Sequence, residues 1–105
     1  MLLATLFLGT AVPGREAVSA REWEDFAETV VTPRFPEGFT VLDGQGQWRN
    51  PQTRQIQRER TKILVIGAAD TPATRQRLEE VSAEWRGRFG QHSVGRVTRA
   101  VCASF

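Results

Sequence analysis

The stretch that decides the fold is residues 38–67, GFTVLDGQGQWRNPQTRQIQRERTKILVIG. Residues 39–42 are apolar or β-branched, which suits a strand on a half-buried sheet. Residues 49–53 are polar and contain a proline, the composition of a hairpin loop. The return strand is predicted over residues 55–66, and its apolar end, residues 63–66, is expected to be buried on both faces. We call this pair of strands the ribbon, and we expect it to be buried at one end and charged at the other.

Two glycines and a run of basic residues distinguish the ribbon from an ordinary hairpin. Gly44 and Gly46 stand at alternate positions, which predicts either a bulge or a close approach of another group to the backbone. Residues 49–62 hold five basic side chains and one acid, Glu59. The chain as a whole has a net charge of only +2, so its overall charge does not argue for nucleic acid.

Before the ribbon, the sequence predicts one strand and one helix. Residues 1–8 are apolar but lack a basic leader, and they are far too few to span a bilayer, so a buried first strand is favoured over a signal remnant. Ser19 and Glu22 have the spacing of a capping box at a helix start. The helix that follows is expected to end at Pro33 and Pro36, because proline cannot continue the hydrogen-bond ladder.

After the ribbon, a second helix and a last strand are predicted. Thr71 and Pro72 have the pattern of a helix start, and Gly90 that of a helix end. Residues 93–105 are apolar enough for a final strand. The order β-α-β-β-α-β is that of the ferredoxin-like fold: one α+β domain over residues 1–105, with a four-stranded antiparallel sheet and two helices on one face. The other face of the sheet is where function is expected.

The composition limits the chemistry that the chain can support. A single cysteine, Cys102, excludes an internal disulfide, and a single histidine, His92, excludes a histidine-cluster metal site within one chain. Phosphate-loop, dinucleotide and zinc-protease motifs are absent, so no metal or cofactor is predicted. No transmembrane segment is predicted either, and the cellular location is left open.

The sequence resembles a small bacterial family known as domain of unknown function 3574. The resemblance is carried by TPRFPEGFTVLDGQGQWR at residues 32–49, and further by RERTK at 58–62, RFGQ at 88–91 and VCASF at 101–105. It spans nearly the whole chain and implies relatives that are often exported or lipid-anchored, without implying an activity. Two features depart from the family pattern: His92 replaces what is more usually an acid, and no export signal precedes the first strand.

A candidate binding surface follows from the alternation of strand residues. Asp43, Gln45 and Gln47 share one face, and Arg58, Arg60 and Lys62 share one face of the paired strand. If both rows lie on the open face of the sheet, they form a polar floor for a small anionic or aromatic ligand. The alternative is a set of cross-strand ion pairs on a solvated ribbon, each contributing at most about 1 kcal/mol.

Each candidate site residue has a possible structural role as well as a functional one. Ligand binding is assigned to Gln47, Trp48, Arg58, Lys62, Gln91 and Arg96, and acid–base chemistry, if the protein is an enzyme, to Asp43 or Glu59. For Trp48, packing or a subunit contact is favoured over stacking on a ligand ring. His92 is expected to be a solvated loop residue, and Cys102 a buried, inert thiol.

The sequence is consistent with three functions. The first is a small-molecule binding protein or cofactor-independent enzyme that uses the open sheet face of a homodimer. The second is an interaction module without a small ligand, which an apolar open face would favour. The third, less favoured, is nucleic-acid binding through the basic ribbon at residues 49–62, because the paired sheet aromatics of RNA-binding domains are absent.

Overall fold

The computed structural model describes residues 1–105. In chain order the elements are β1 (Leu2–Gly9), α1 (Ala20–Phe26), a π-helical segment (Ala27–Val31), α2 (Thr32–Arg34), β2 (Thr40–Arg49), β3 (Ile56–Ala68), α3 (Pro72–Phe89) and β4 (Gly95–Ala100). The strands form one antiparallel sheet in the order β2-β3-β1-β4. The predicted α+β fold, with its four-stranded antiparallel sheet and helices on one face, is confirmed.

The core lies between the sheet and the helices. β1 contributes every second residue to it, and the helices contribute an aromatic cluster in which Trp85 packs 4.9 Å from Phe26 and 4.5 Å from Phe89, measured between ring centroids. Such tilted ring pairs stabilise the core beyond the area that they bury. The buried apolar residues are Leu2, Ala4, Leu6, Leu8, Trp23, Phe26, Val30, Val31, Phe35, Leu64, Ile66, Leu78, Val81, Trp85 and Phe89.

The first helical stretch, from α1 through the π-helical segment to the end of α2, starts as predicted and ends later than predicted. The Ser19 side chain accepts from the Glu22 amide while the Glu22 carboxylate accepts from the Ser19 amide, so the capping box is complete. Helical backbone continues through Pro33 to Arg34, and the expectation that Pro33 ends the helix is wrong. The amide of Thr32 bonds to the carbonyl of Ala27 in a wide π turn, and Pro33 follows in the first turn of a new segment, where no amide donor is required.

The ribbon pairs without interruption from Thr40 opposite Val65 to Arg49 opposite Ile56, so it contains no bulge. Gly44 reflects a close approach instead: a β-carbon there would lie 2.7 Å from Cδ1 of Ile63. β1 ends where Gly9 pairs with Thr61, and the part of the ribbon beyond this point projects past the rest of the sheet.

α3 and β4 complete the fold largely as expected. Thr71 caps α3 by accepting from the amide of Thr74, and Gly90 ends the helix in the left-handed conformation at φ 62°. None of the helices combines the length and apolar character that crossing a bilayer requires. The prediction that Cys102 is buried is wrong: the chain leaves the sheet after β4, and the thiol is exposed.

Register assigns each strand residue to a face. Leu64 and Ile66 are buried against the helices, whereas Ile63 and Val65 point to the opposite face and are only partly covered. The expectation that the whole segment 63–66 is buried on both faces is therefore wrong. We call the uncovered side of the sheet the open face; its apolar members are Leu3, Phe7, Leu42, Ile63, Val65 and Val97.

Candidate functional site

An open cleft of about 350 Å³ lies at one end of the open face. It forms where β1 ends, where the ribbon projects beyond it, and where the loop after α3 enters β4. Its lining residues are Phe7, Gly9, Trp48, Glu59, Thr61, Gln91, His92, Ser93 and Gly95. Three segments that are distant in sequence therefore meet around one space, which is typical of a binding site on a small α+β domain.

The backbone of one residue, Ala11, holds two of the polar side chains of the cleft. The amide of Ala11 donates to Oε2 of Glu59 at 2.8 Å, and the carbonyl of Ala11 accepts from Nε2 of Gln91. Oε1 of Glu59 has no hydrogen-bond partner within the protein and lies close to Gly9, where a β-carbon would be only 2.8 Å away. Glu59 is thus held on one side and free to accept a hydrogen bond on the other.

Two aromatic rings give the cleft an apolar wall. Trp48 and Phe7 are both exposed large hydrophobic residues, at 48% and 41% respectively. Gly95 pairs with Phe7, and a β-carbon at that glycine would lie 3.3 Å from the Phe7 ring. The small residue leaves room for the ring to lie over β4. Exposed aromatic faces beside hydrogen-bonding groups suit a ligand that contains a flat ring.

The charge of the cleft is negative. Its lining includes one carboxylate, that of Glu59, one imidazole, that of His92, and no lysine or arginine. The hydroxyls of Thr61 and Ser93 are able to donate or to accept a hydrogen bond. This set of groups complements a neutral or cationic ligand better than an anionic one.

The structure brings three of the predicted site residues together and separates the others from them. Trp48, Glu59 and Gln91 line the cleft. The remaining candidates lie on the side of the sheet that faces the helices, because Lys62 pairs with buried Leu8 and shares its face. These residues are Asp43, Gln47, Arg58, Lys62 and Arg96.

The predicted polar rows do meet, but they do not form a floor on the open face. Nζ of Lys62 lies 2.6 Å from Oδ1 of Asp43, and Nε of Arg58 donates to Oε1 of Gln47 at 2.9 Å. Arg96 lies 3.4 Å from Glu79 of α3. These contacts match the alternative of cross-strand pairs on a solvated ribbon, and the basic groups are not gathered into one binding surface.

The other cleft residues were not among the predicted site residues. Phe7 and Gly9 belong to a strand that was predicted to be buried. They alternate with the buried residues Leu6 and Leu8, and this alternation is the pattern that indicates their position on the open face. His92, expected to be a solvated loop residue, is exposed, and it also lines the cleft. Its proximity to Glu59, some thirty residues earlier, has no signature in the sequence.

A second cavity, of about 240 Å³, lies at the opposite end of the molecule. It is lined in part by Arg34 and Arg77. Nε of Arg34 donates to Glu80 and its Nη1 donates to the carbonyl of Val30, and the carboxylate of Glu37 also faces the cavity. Because its charges are largely balanced within the protein, this cavity is a weaker candidate than the cleft.

The sequence matches the model of a family described as "Protein of unknown function (DUF3574)" over residues 4–105. The chain belongs to this family. The membership confirms the resemblance carried by residues 32–49, and the family description supplies no activity. Among curated proteins, none matches the sequence.

Two solved structures have folds similar to that of this chain. The chain is similar to a phage SAM lyase in complex with S-methyl-5'-thioadenosine, with a TM-score of 0.70 and 16% sequence identity over 93% of this chain and 79% of that one. A phage SAM lyase in the apo state gives 0.68 and 17%, over 93% and 78% of the two chains. At such low identity the likeness establishes the fold, and a fold does not imply a function.

Proposed function

We propose that this protein binds a small molecule in the cleft, on the open face of a homodimer, and that the ligand carries a flat ring and a cationic or hydrogen-bond-donating group. The observation that carries the proposal is the position of the free Oε1 of Glu59 beside the exposed rings of Trp48 and Phe7. A ring stacked on Trp48 would place a donor group within reach of that oxygen.

The sequence suggested a small anionic or aromatic ligand, and the residues that line the cleft favour the aromatic class. An anionic ligand would approach Glu59 without a lysine or arginine in the lining to balance it, whereas an aromatic ligand gains from the two rings. An enzyme working in this cleft would use Glu59 as its acid–base group. Asp43 does not qualify, because it lies on the helix-facing side and is paired with Lys62.

Ligand-induced thermal stabilisation tests the proposal. S-methyl-5'-thioadenosine is the first probe, because it combines a purine ring with donor groups and is the molecule held by the structural neighbour; benzoate serves as the anionic comparison. We expect saturable stabilisation by the purine probe, since binding to the native state raises apparent stability by mass action.

Matched variants assign the binding to the cleft. Trp48→Ala and Glu59→Gln should each weaken binding of the probe at least tenfold in calorimetric titration. Asp43→Asn, a similar change on the other side of the sheet, should leave it unaltered. A probe that stabilises Trp48→Ala as well as it does the unmodified protein would refute binding in the cleft, and so would the absence of any stabilisation.

The apolar character of the open face favours a second candidate, a self-associating module without a small ligand. Leu42 and Val97 are 52% and 60% exposed and belong to the two edge strands of the sheet. Surfaces of this kind mark interaction sites. A dimer, measured by light scattering, that responds to no ring-containing probe would support this candidate over ligand binding.

A further inference from the structure

The open face has the dimensions of a subunit interface. Its apolar residues come from all four strands and form one continuous surface. Four strands about 4.8 Å apart, with residues rising about 3.4 Å each, give a planar footprint of roughly 500 Å² over the eight residues of β1. Projecting side chains add to this area, which places it near the lower end of the roughly 600–1,000 Å² per partner found in specific interfaces. A second copy of the chain carries a surface of matching size and character.

Only two charged side chains on the strands point to the open face. Glu59 lies two residues beyond Thr61, which pairs with the last residue of β1, Gly9. Arg99 pairs with Leu3, near the start of β1. The acid and the base therefore occupy opposite ends of the face, with the apolar surface between them.

When the strands of the two sheets stay aligned, two identical faces can be stacked about a two-fold axis in two ways, and the charge arrangement selects one of them. An axis along the strands brings like ends together, so that the two Glu59 carboxylates share one end and the two Arg99 guanidiniums the other. An axis across the strands places each end over the opposite end, so that each Glu59 shares an end of the dimer with Arg99 of the other copy, two strands away. Like charges brought together in a desolvated interface are strongly unfavourable, so the second arrangement is preferred.

We infer that two copies pack face to face about an axis across the strands, and that Arg99 of the second copy closes the cleft of the first. The inference rests on the homodimer of the proposed function and adds a residue to its site. Arg99 lies on β4 at the level of Leu3, so this axis carries it over the other end of β4, next to Ser93 and Gly95. Because β1 lies between β3 and β4, this position is two strands away from Glu59, so the guanidinium adds hydrogen-bond donors to the β4 side of the cleft and leaves Oε1 of Glu59 free for the ligand.

Cysteine cross-linking distinguishes the two axes without any ligand. In a Cys102→Ser background, Arg99→Cys is mixed with Ser93→Cys in one sample and with Thr40→Cys in another, and each mixture is treated with a short bismaleimide cross-linker. Stacked sheets lie about 10 Å apart, too far for a direct disulfide, and a linker of about that length joins only cysteines that face each other. We expect a cross-linked dimer with Ser93→Cys and none with Thr40→Cys, which faces Arg99 only if the axis runs along the strands. Each single-cysteine variant treated alone with the cross-linker is the control.

A charge exchange gives an independent readout. Arg99→Glu should raise the dimer dissociation constant at least tenfold, because it brings a second carboxylate to the end of the dimer that holds Glu59, and adding Glu59→Lys to the same chain should restore it. Arg21→Glu makes the same change on an exposed, unpaired residue of α1 and should have no effect.

The outcomes separate this inference from the proposed function. Cross-linking through Thr40→Cys, a monomer at all concentrations, or a trimer would overturn the inference, whether or not the probe binds. Cross-linking through Ser93→Cys together with failure of every probe would support the arrangement and refute the ligand. Failure of Glu59→Lys to restore the dimer in Arg99→Glu would overturn the placement of the two charges at one end of the dimer.

Discussion

The indole nitrogen of Trp85 donates a hydrogen bond to the carbonyl oxygen of Gly9 at 3.0 Å. Trp85 is fully buried in the middle of the aromatic cluster, whereas Gly9 is the last residue of β1 and lines the cleft. A core residue of α3 thus holds the strand end on which the candidate site is built. The contact joins the stability of the fold to the geometry of the cleft.

Replacing Trp85 with phenylalanine should destabilise the protein markedly. The change removes the donor to the Gly9 carbonyl, which we expect to contribute about 1–3 kcal/mol to the loss, and it also leaves unfilled space in the core. Urea unfolding measures the effect. Trp48→Phe is the matched control and should change the free energy of unfolding by less than about 0.5 kcal/mol, because that ring is exposed. Equal effects of the two changes would show that the buried hydrogen bond does not matter.

The capping box of α1 is extended by an ion pair that predicts a pH effect. Arg15 forms hydrogen bonds with both carboxylate oxygens of Glu22. The hydrogen bond from Arg15 is the main reason that the pKa of Glu22 is lowered to about 2, and the Ser19 amide adds to the effect. A carboxyl with a lowered pKa in the folded state stabilises the fold when it is ionised.

We expect Glu22→Gln to be less stable than the unmodified protein at neutral pH and to approach it in strong acid. The Glu22 contribution is fully present above about pH 4.5, the ordinary pKa of the carboxyl, and is lost as the pH falls towards 2. Urea unfolding across this range gives the difference between the two proteins at each pH. Glu24→Gln, an exposed neighbour outside the capping box, is the control. A difference that stays constant from pH 5 to about pH 2 would contradict the assignment.

Lys62, which was predicted to bind a ligand, makes contacts within the fold. Its ammonium lies 2.6 Å from Asp43 and 5.7 Å from the centroid of the Trp23 ring, and its side chain is 22% exposed. The aliphatic part of such a side chain covers apolar surface while the charge stays near solvent.

Lys62→Ala should reduce the free energy of unfolding by about 1–2 kcal/mol, since it removes both the ion pair and the contact with the ring. Asp43→Asn removes only the exposed partner and should change stability by at most about 1 kcal/mol, less at high salt. A double-mutant cycle in low and high salt separates the two contributions. Neither change should alter binding of a ligand in the cleft, and altered binding would return both residues to the candidate site.

The local features of the fold were predictable because each depends on a few neighbouring residues. The capping box at Ser19 and Glu22, the start of α3 at Thr71 and its end at Gly90 are all present where their short patterns placed them. The polar composition of residues 49–53 located the turn between β2 and β3 correctly. The end of the helical stretch that begins with α1 was misjudged at Pro33, because the π turn that accommodates this proline has no comparable local pattern.

The candidate site depends on relationships that no local pattern contains. A shift of one residue in the pairing of two strands moves every side chain to the other face of the sheet. Alternation therefore showed that Asp43 groups with Gln47 and Arg58 with Lys62, but not that both rows face the helices. That assignment follows from the pairing of Lys62 with Leu8, whose burial against the helices determines the face.

The amino-acid sequence by itself determined the order of the elements, the ends of most of them and the family to which the chain belongs, because these follow from the spacing of residues close together in the chain. Only the tertiary structure decided which side of the sheet is apolar and bare, and that Trp48, Glu59 and His92 meet in one cleft. Those features arise from strand register and from contacts between distant segments, which form only when the core between sheet and helices is packed.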